Sequence, residues 1–426
     1  MRLIHFADLH LGVERYGRPL DDRPWSSRFQ DFLDAFDALV DFAIGERVDA
    51  VIFAGDAYRD REPTQTQQRE FAARIRRLSE AGIAVFLLVG NHDLPNAEGR
   101  AHALEIFRTL GVPRVYVGDA AWFEEHGFRP QVLETRSGPL QVAFIPWPQL
   151  SRFTAARPEL ASLTQDQLFE HVAEALYDAV EEQVRHLEPD IPAVLAVHLT
   201  VWDQSVQEHP GSEQWMMLGT APTVQKSVLH AAAFDYVALG HHHRPVELSG
   251  TESPAWYAGS MQPVDFGEEG EQKGFVYVEL DPRKPRGQRL VGGTPRFVPV
   301  PTRRFVTIDV SPQDIDPTAE VCRAVDARDV RDAIVRVRVF LDADQAANFR
   351  PFEVRQRLRD AHFIAGIQQI TPVRTRTLAP AGQQLAHRSP IEVLEAYLQL
   401  KNVPEQRRER LLAAAKDLLA SMEESG

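Results

Sequence analysis

The chain has 426 residues, room for more than one domain of about 100 to 200 residues, and its 44% hydrophobic and 25% charged content is that of an ordinary globular protein. With 61 acidic against 47 basic residues the formal net charge is −14, which argues against a protein that coats nucleic acid alone, because such binding is dominated by cationic contacts to phosphate. Cys322 is the single cysteine, so no internal disulfide can form; with no signal segment and no run near the roughly 20 apolar residues of a membrane span, a reducing cytoplasmic setting is expected.

In chain order, the first apolar run is LIHFADLH, ending at Asp8 and His10. Ser26 to Gly45 then places Phe29, Phe32, Leu33, Phe36, Leu39, Val40 and Ala43 on one face at helical spacing. AVIFAGD ends at Asp56, Thr64 to Gly82 predicts a second helix stopped by glycine, and AVFLLVGNHD carries Asn91, His92 and Asp93. Two further runs, AVLAVH and YVALGHHH, end at His198 and at His241 and His243. Strand, helix, strand, helix, strand is the arithmetic of a layered α/β fold. Gln141–Pro146 and Gly274–Leu280 read as strands of a second sheet packed on the first. Residues 1–285 thus form one domain, and the Pro-, Gly- and Arg-rich stretch that follows predicts a linker over 286–302.

Residues 303–380 alternate strand and helix patterns in β-α-β-α-β order, which predicts a small α+β domain. In its Val-Arg-Val-Arg-Val strand, Arg336 and Arg338 lie opposite the valines, either on a plain solvated sheet face or as DNA contacts. Residues 388–424 predict two helices, the first opened by Ser389-Pro390 and carrying Leu394, Tyr397 and Leu398, the second carrying Leu411, Leu412 and Leu418. Such a pair either folds back on its own domain or lays its apolar faces on a partner.

Short Val/Ile/Leu/Phe runs are the mark of buried parallel strands, and in open α/β sheets the chemistry gathers beyond their carboxyl ends. Asp8, His10, Asp56, Asn91, His198, His241 and His243 should therefore converge on one crevice. Carboxylate, amide oxygen and imidazole without a thiolate suit a pair of Mn²⁺-like or Zn²⁺-like ions. His5, within a buried run, and His242, between two ligand candidates in an extended segment, are expected to be structural.

The series D-x-H, G-D, G-N-H-D, a lone His and G-H-x-H resembles the calcineurin-like metallophosphoesterases, whose fold would be a four-layer α-β-β-α core. Within that superfamily the chain is most similar to the SbcD family of bacterial double-strand-break repair nucleases. The opening Met1-Arg2-Leu3-Ile4-His5, the helix after Trp25, the segment WYAGSMQPVDFGE (256–268) and the helical tail carry this similarity. The resemblance implies a 3′–5′ double-strand exonuclease and single-strand endonuclease with two Mn²⁺, although the ligand types also permit Fe²⁺ or Zn²⁺. It implies that residues 303–380 cap the site and help bind DNA, and that the tail grips an SbcC-like ABC-type ATPase. A homodimer is compatible with it and is left open.

Carried over residue by residue, Asp8, His10, Asp56 and His243 would hold one ion and Asp56, Asn91, His198 and His241 the other, Asp56 bridging both. His92 would sit over the scissile phosphate, oriented by Asp93. Arg59 departs from archaeal and eukaryotic relatives, which carry a second His there; it is either a phosphate clamp or a surface partner of Asp60. Two other readings remain: a stand-alone phosphodiesterase or phosphatase on small nucleotides, against which the extra domain and tail speak, and a scaffold with a dead site, against which the complete ligand set speaks.

Overall fold

Each apolar run becomes a strand in the computed structural model, which describes residues 1–95, 100–155, 157–207, 222–371, 398 and 405–423. The strands are β1 (Arg2–Phe6), β2 (Ala50–Phe53), β3 (Ala84–Leu88), β4 (Val115–Gly118), β5 (Gln131–Thr135), β6 (Gly138–Ile145), β7 (Ala193–His198), β8 (Thr200–Val201), β9 (Thr223–Val224), β10 (Tyr236–Gly240), β11 (Val246–Glu247), β12 (Ala255–Tyr257), β13 (Gly274–Glu279), β14 (Arg296–Pro299), β15 (Phe305–Val310), β16 (Ile334–Phe340) and β17 (Phe363–Ile370). Two six-stranded sheets result, ordered β14-β13-β1-β2-β3-β4 and β11-β12-β10-β7-β6-β5. The strands that carry the candidate ligands pair in parallel within each sheet, so their carboxyl ends share one edge.

Alternation along each strand builds the layers. Ile52, Phe86, Phe144, Val194 and Ala238 point into a core between the two sheets. Val51, Val85 and Leu87 point outward onto helices α1 (Ser27–Gly45) and α2 (Gln65–Glu80). Leu195, Val197 and Leu239 point the other way, onto the helix Gln165–Arg185. Helix, sheet, sheet and helix are stacked in that order, so the fold is the four-layer α/β arrangement. Both α1 and α2 start on side-chain caps, Ser26 accepting from Phe29 N and Thr64 closing a capping box with Gln67.

Three sequence expectations are corrected here. Strand β13 does not join the second sheet; it pairs antiparallel with β1 in the first. Residues 286–302 are not a free linker, because β14 extends that sheet beyond β13 and Val300 belongs to the core against α1. Local Pro and Gly density marks turns, but it cannot register a strand recruited by an edge. The unit that follows is α/β rather than α+β: β15, β16 and β17 form a parallel sheet, and the helices Thr318–Asp326 and Pro351–Arg357 cover the face bearing Val335, Val337 and Val339. No described helix is long and apolar enough to cross a membrane.

Arg289, inside the expected linker, is fully buried. Its guanidinium donates to the Asp235 carboxylate at 3.2 Å and to the carbonyls of Lys284 (2.8 Å), Ile191 (3.0 Å) and Pro189 (2.7 Å). It ties this stretch to the second sheet, and removing it strands a buried carboxylate. Arg289→Ala should therefore cost about 3 to 5 kcal/mol in urea unfolding; a loss under about 1 kcal/mol would show that the stretch is a dispensable connector.

Candidate metal centre

The seven ligand candidates leave the strand ends on loops that are knitted to one another. Asp8 N donates to Gly55 O at 3.0 Å and His10 N to Asp56 O at 3.1 Å, joining the loops after β1 and β2. The Asp8 carboxylate accepts His241 N at 3.0 and 3.1 Å, joining the loops after β1 and β10 across the two sheets. Asp8, His10, Asp56 and His241 hold positive φ, at 50°, 45°, 64° and 94°. For residues with a side chain this left-handed region costs about 1–3 kcal/mol each and persists only where surrounding contacts enforce it, as at functional sites.

All seven converge. On one side His10 Nε2 and His243 Nε2 lie 2.9 Å apart, with Asp56 Oδ2 3.8 Å from His10. On the other, Asn91 Oδ1 is 2.9 Å from His198 Nε2 and 3.2 Å from His241 Nδ1, and Asp56 Oδ2 is 3.3 Å from His198. Asp56 is thus common to both halves. Asp8, His10 and His243 form one close group of donors and Asp8, Asp56 and His198 another; His92 joins a third with His10 and Asp56.

Two hydrogen bonds fix which ring nitrogen faces inward. His198 Nδ1 donates to Ala54 O at 2.7 Å and His243 Nδ1 to Glu268 Oε1 at 2.7 Å, which leaves Nε2 of each facing the site, where a bound cation would replace its proton. Burial raises the Asp8 carboxyl to about 6, whereas at Asp56 it is outweighed by His198, His92 and His10, which hold that carboxyl below its usual range. Burial also opposes charge on His198, but the Asp56 carboxylate overrides it and raises the imidazole to about 9. Buried carboxylates packed against imidazole lone pairs are a donor set that fits divalent cations.

His92 stands beside His10, ring centroids 4.8 Å apart and edge to face. Its backbone N donates to Asp56 Oδ1 at 2.8 Å, and its Nδ1 donates to the Arg59 carbonyl at 2.7 Å. Asp93 is therefore not its orienting partner, contrary to the sequence expectation. Both Asp93 oxygens accept backbone amides, from Asp56, Ala57 and Gly90, each at 2.9 Å. Its role is to hold two ligand loops together, and burial raises its carboxyl to about 6. Arg59 enters through its backbone.

The two β16 arginines, read as either a solvated sheet face or DNA contacts, make contacts within the protein. Arg338 pairs with Asp309, its Nε 2.7 Å from Oδ1, and Arg336 lies over the Phe266 ring at 4.2 Å while donating to Thr307 Oγ1. Of the tail residues, Leu398 is buried, Leu411 exposed and Leu412 half-buried on the helix Glu405–Glu423; Leu394, Tyr397 and the Leu418 side chain lie outside the described residues. His5 bonds Tyr236 Oη at 2.8 Å and His242 packs edge-on against Tyr257; both are buried, and desolvation lowers both to about 3.

Sequence reasoning missed Trp147, whose ring lies 4.9 Å from His241, and the buried pair Glu268–Lys273, 2.8 Å apart, behind His243. The signal for Glu268 was present at the end of WYAGSMQPVDFGE, without anything to say which ligand it serves.

With this geometry in view, the comparisons identify the class. Residues 1–245 match the calcineurin-like phosphoesterase family, and the chain belongs to it. Among curated proteins, it is 42% identical over 129 residues to the DNA double-strand break repair protein Mre11 of Halobacterium salinarum, covering 29% of this chain and 30% of that one. It is 29% identical over 290 residues to the SbcD component of the SbcCD nuclease of Bacillus subtilis, covering 66% and 67%. The chain thus spans under a third of the archaeal relative's length and about two thirds of the bacterial one's. Among solved structures, a dimetal phosphatase from Danio rerio aligns with a TM-score of 0.38 at 13% identity over 65% of this chain and 92% of that one, too distant to bear on function.

Two glycines are required by close approach. A Cβ at Gly240 would collide with the Ala54 carbonyl, and one at Gly90 with the Asp56 carboxylate and amide. Gly90→Ala should displace Asp56, costing about 1–3 kcal/mol of stability and a measurable share of bound metal while the far-UV circular dichroism stays native. Wild-type metal content in that variant would show that the loop yields without disturbing Asp56.

Proposed function

We propose that the chain is a metal-dependent DNA nuclease acting in double-strand-break repair, with two Mn²⁺ as its ions and an SbcC-like ABC-type ATPase as its partner. The observation that carries the reading is the convergence of seven buried donors from five strand ends around one shared carboxylate, Asp56. The name of one curated relative speaks of DNA double-strand break repair and that of the other of a nuclease, and together they support DNA as the substrate.

When bound, a pair of divalent ions would activate water and neutralise charge on a phosphodiester. Asp8, His10 and His243 would hold one ion, Asn91, His198 and His241 the other, and Asp56 both. In its doubly protonated form His92 would keep Nδ1–H on the Arg59 carbonyl and pass the proton on its other nitrogen to the departing 3′ oxygen, leaving neutral imidazole. The Arg59 guanidinium would clamp a phosphate, a role that its position three residues after Asp56 supports. The reading includes 3′–5′ exonuclease activity on duplexes and endonuclease activity on single strands.

With Arg336 and Arg338 spent on Phe266 and Asp309, and with a net charge of −14, a basic partner must supply much of the surface that grips DNA. The 388–424 segment is the part proposed to recruit it.

Substitution separates the ligands from the acid. Asp56→Ala or His198→Ala should abolish hydrolysis of duplex DNA and of bis-p-nitrophenyl phosphate and lower metal content, whereas His92→Ala should keep both ions and lose about 10² to 10⁴ in rate. Metal loss in His92→Ala would return His92 to the ligand shell, and hydrolysis of the small diester without any of DNA would favour a small-nucleotide phosphodiesterase. Truncation after His387 should spare the small diester and abolish capture of the ATPase; equal capture by both forms would rule out the tail as the docking element.

A further inference from the structure

The short helical turn Phe266–Glu268 lies between the metal centre and the small C-terminal unit, and its residues face in two directions. Inward, Glu268 is fully buried. Its Oε1 takes the His243 Nδ1 proton at 2.7 Å, and its Oε2 accepts Lys273 Nζ at 2.8 Å and Val264 N at 3.0 Å. Outward, the Phe266 ring packs edge-on against Phe305 of β15 at 4.9 Å and beneath Arg336 of β16 at 4.2 Å. Next to it, the Glu269 carboxylate accepts Thr307 N of β15 at 2.7 Å.

A single 3₁₀ turn has little stability of its own and takes its conformation from what it packs on. Only Gly267 separates Phe266 from Glu268, so the ring and the carboxylate belong to one turn. A second connection runs to the other imidazole of the same half-site. Tyr16, on the loop that leaves His10, has a left-handed φ of 70° and packs edge-on against Phe266, Phe305 and Phe363 at 5.5, 5.7 and 5.9 Å. His10 and His243, whose Nε2 atoms face each other, are thus both backed by elements that rest on the C-terminal unit.

We propose that Glu268 is a positioning residue for the metal centre and that docking of the 303–371 unit on Phe266, Glu269 and Tyr16 sets it, so that the His10–His243 half-site reaches full affinity only with that unit in place. The inference rests on the metal-centre reading above. Linkage makes it reciprocal: if docking strengthens one ion's binding, that ion strengthens docking by the same factor.

The test is Mn²⁺ binding to the full-length protein, followed by calorimetry and by electron paramagnetic resonance, with hydrogen exchange at the Thr307 amide reporting docking. Loss of a hydrogen bond behind a metal-bound histidine typically weakens binding about 10- to 100-fold, so Glu268→Gln should weaken one of the two ions by that factor and leave the other unchanged. Phe266→Ala should speed Thr307 exchange and weaken the same ion about tenfold, and Mn²⁺ should slow Thr307 exchange in the wild type. If that variant does not fold, Arg336→Ala, which alters only the C-terminal unit, takes its place with the same expectations. A wild type that binds no Mn²⁺ overturns the metal reading itself. Two wild-type sites with unaltered affinity in Glu268→Gln overturn the positioning role. Faster Thr307 exchange with unaltered metal affinity overturns the coupling to docking, as does Mn²⁺ that leaves wild-type Thr307 exchange unchanged.

Discussion

Three aspartates, Asp8, Asp56 and Asp93, are buried together where the two sheets meet, and the surrounding structure is organised around giving them donors. A carboxylate taken out of water without partners costs several kcal/mol or neutralises itself by taking up a proton. Each here has a different solution. Asp93 collects three backbone amides and thereby joins the loops after β2 and β3. Asp8 accepts the His241 amide and joins the two sheets. Asp56 faces imidazoles, which can become ligands of a common cation. The arrangement that satisfies these charges is also the one that brings the donors together, so loop geometry and metal affinity have one physical origin.

That origin explains the division of the chain. The two-sheet core supplies every ligand candidate, while the 303–371 unit contributes none and spends its exposed-face arginines on contacts within the protein. Its junction with the core is dense in directed contacts: Arg303 forks onto Asp31 at 2.7 Å through two nitrogens, and His362 Nε2 meets Ser27 Oγ at 2.8 Å. Planar guanidinium forks of this kind fix orientation as well as adding energy. A unit held this specifically, and touching the backing of two ligands, is suited to report its own position to the metal centre.

The converging strand ends and the core were legible in the sequence because both are written in local pattern. A four- to six-residue apolar run ending in Asp, Asn or His needs no knowledge of the rest of the chain, and the periodicity of Ser26–Gly45 fixes its buried face. What could not be read depends on pairings between distant residues. Strand β13 adds to β1 across more than 270 positions, Arg289 reaches Asp235 and Pro189, and Glu268 finds His243 through a turn that packs on the C-terminal unit. The arginines of β16 show the same limit. Alternation placed Arg336 and Arg338 on one face, but not the Phe266 ring or the Asp309 carboxylate that meets them there.

The position of Arg59 shows how backbone chemistry can release a side chain from constraint. An imidazole that is to present one ring nitrogen to a substrate needs an acceptor for the N–H of the other. For His92 that partner is a main-chain carbonyl, Arg59 O, in a loop held by Arg59 N donating to Leu11 O at 3.1 Å and by the amide bonds to Asp93. A carbonyl is offered by every residue type, so orienting His92 places no demand on the side chain at 59. The hold on His92 would therefore survive a change of side chain at 59, because the main chain makes it.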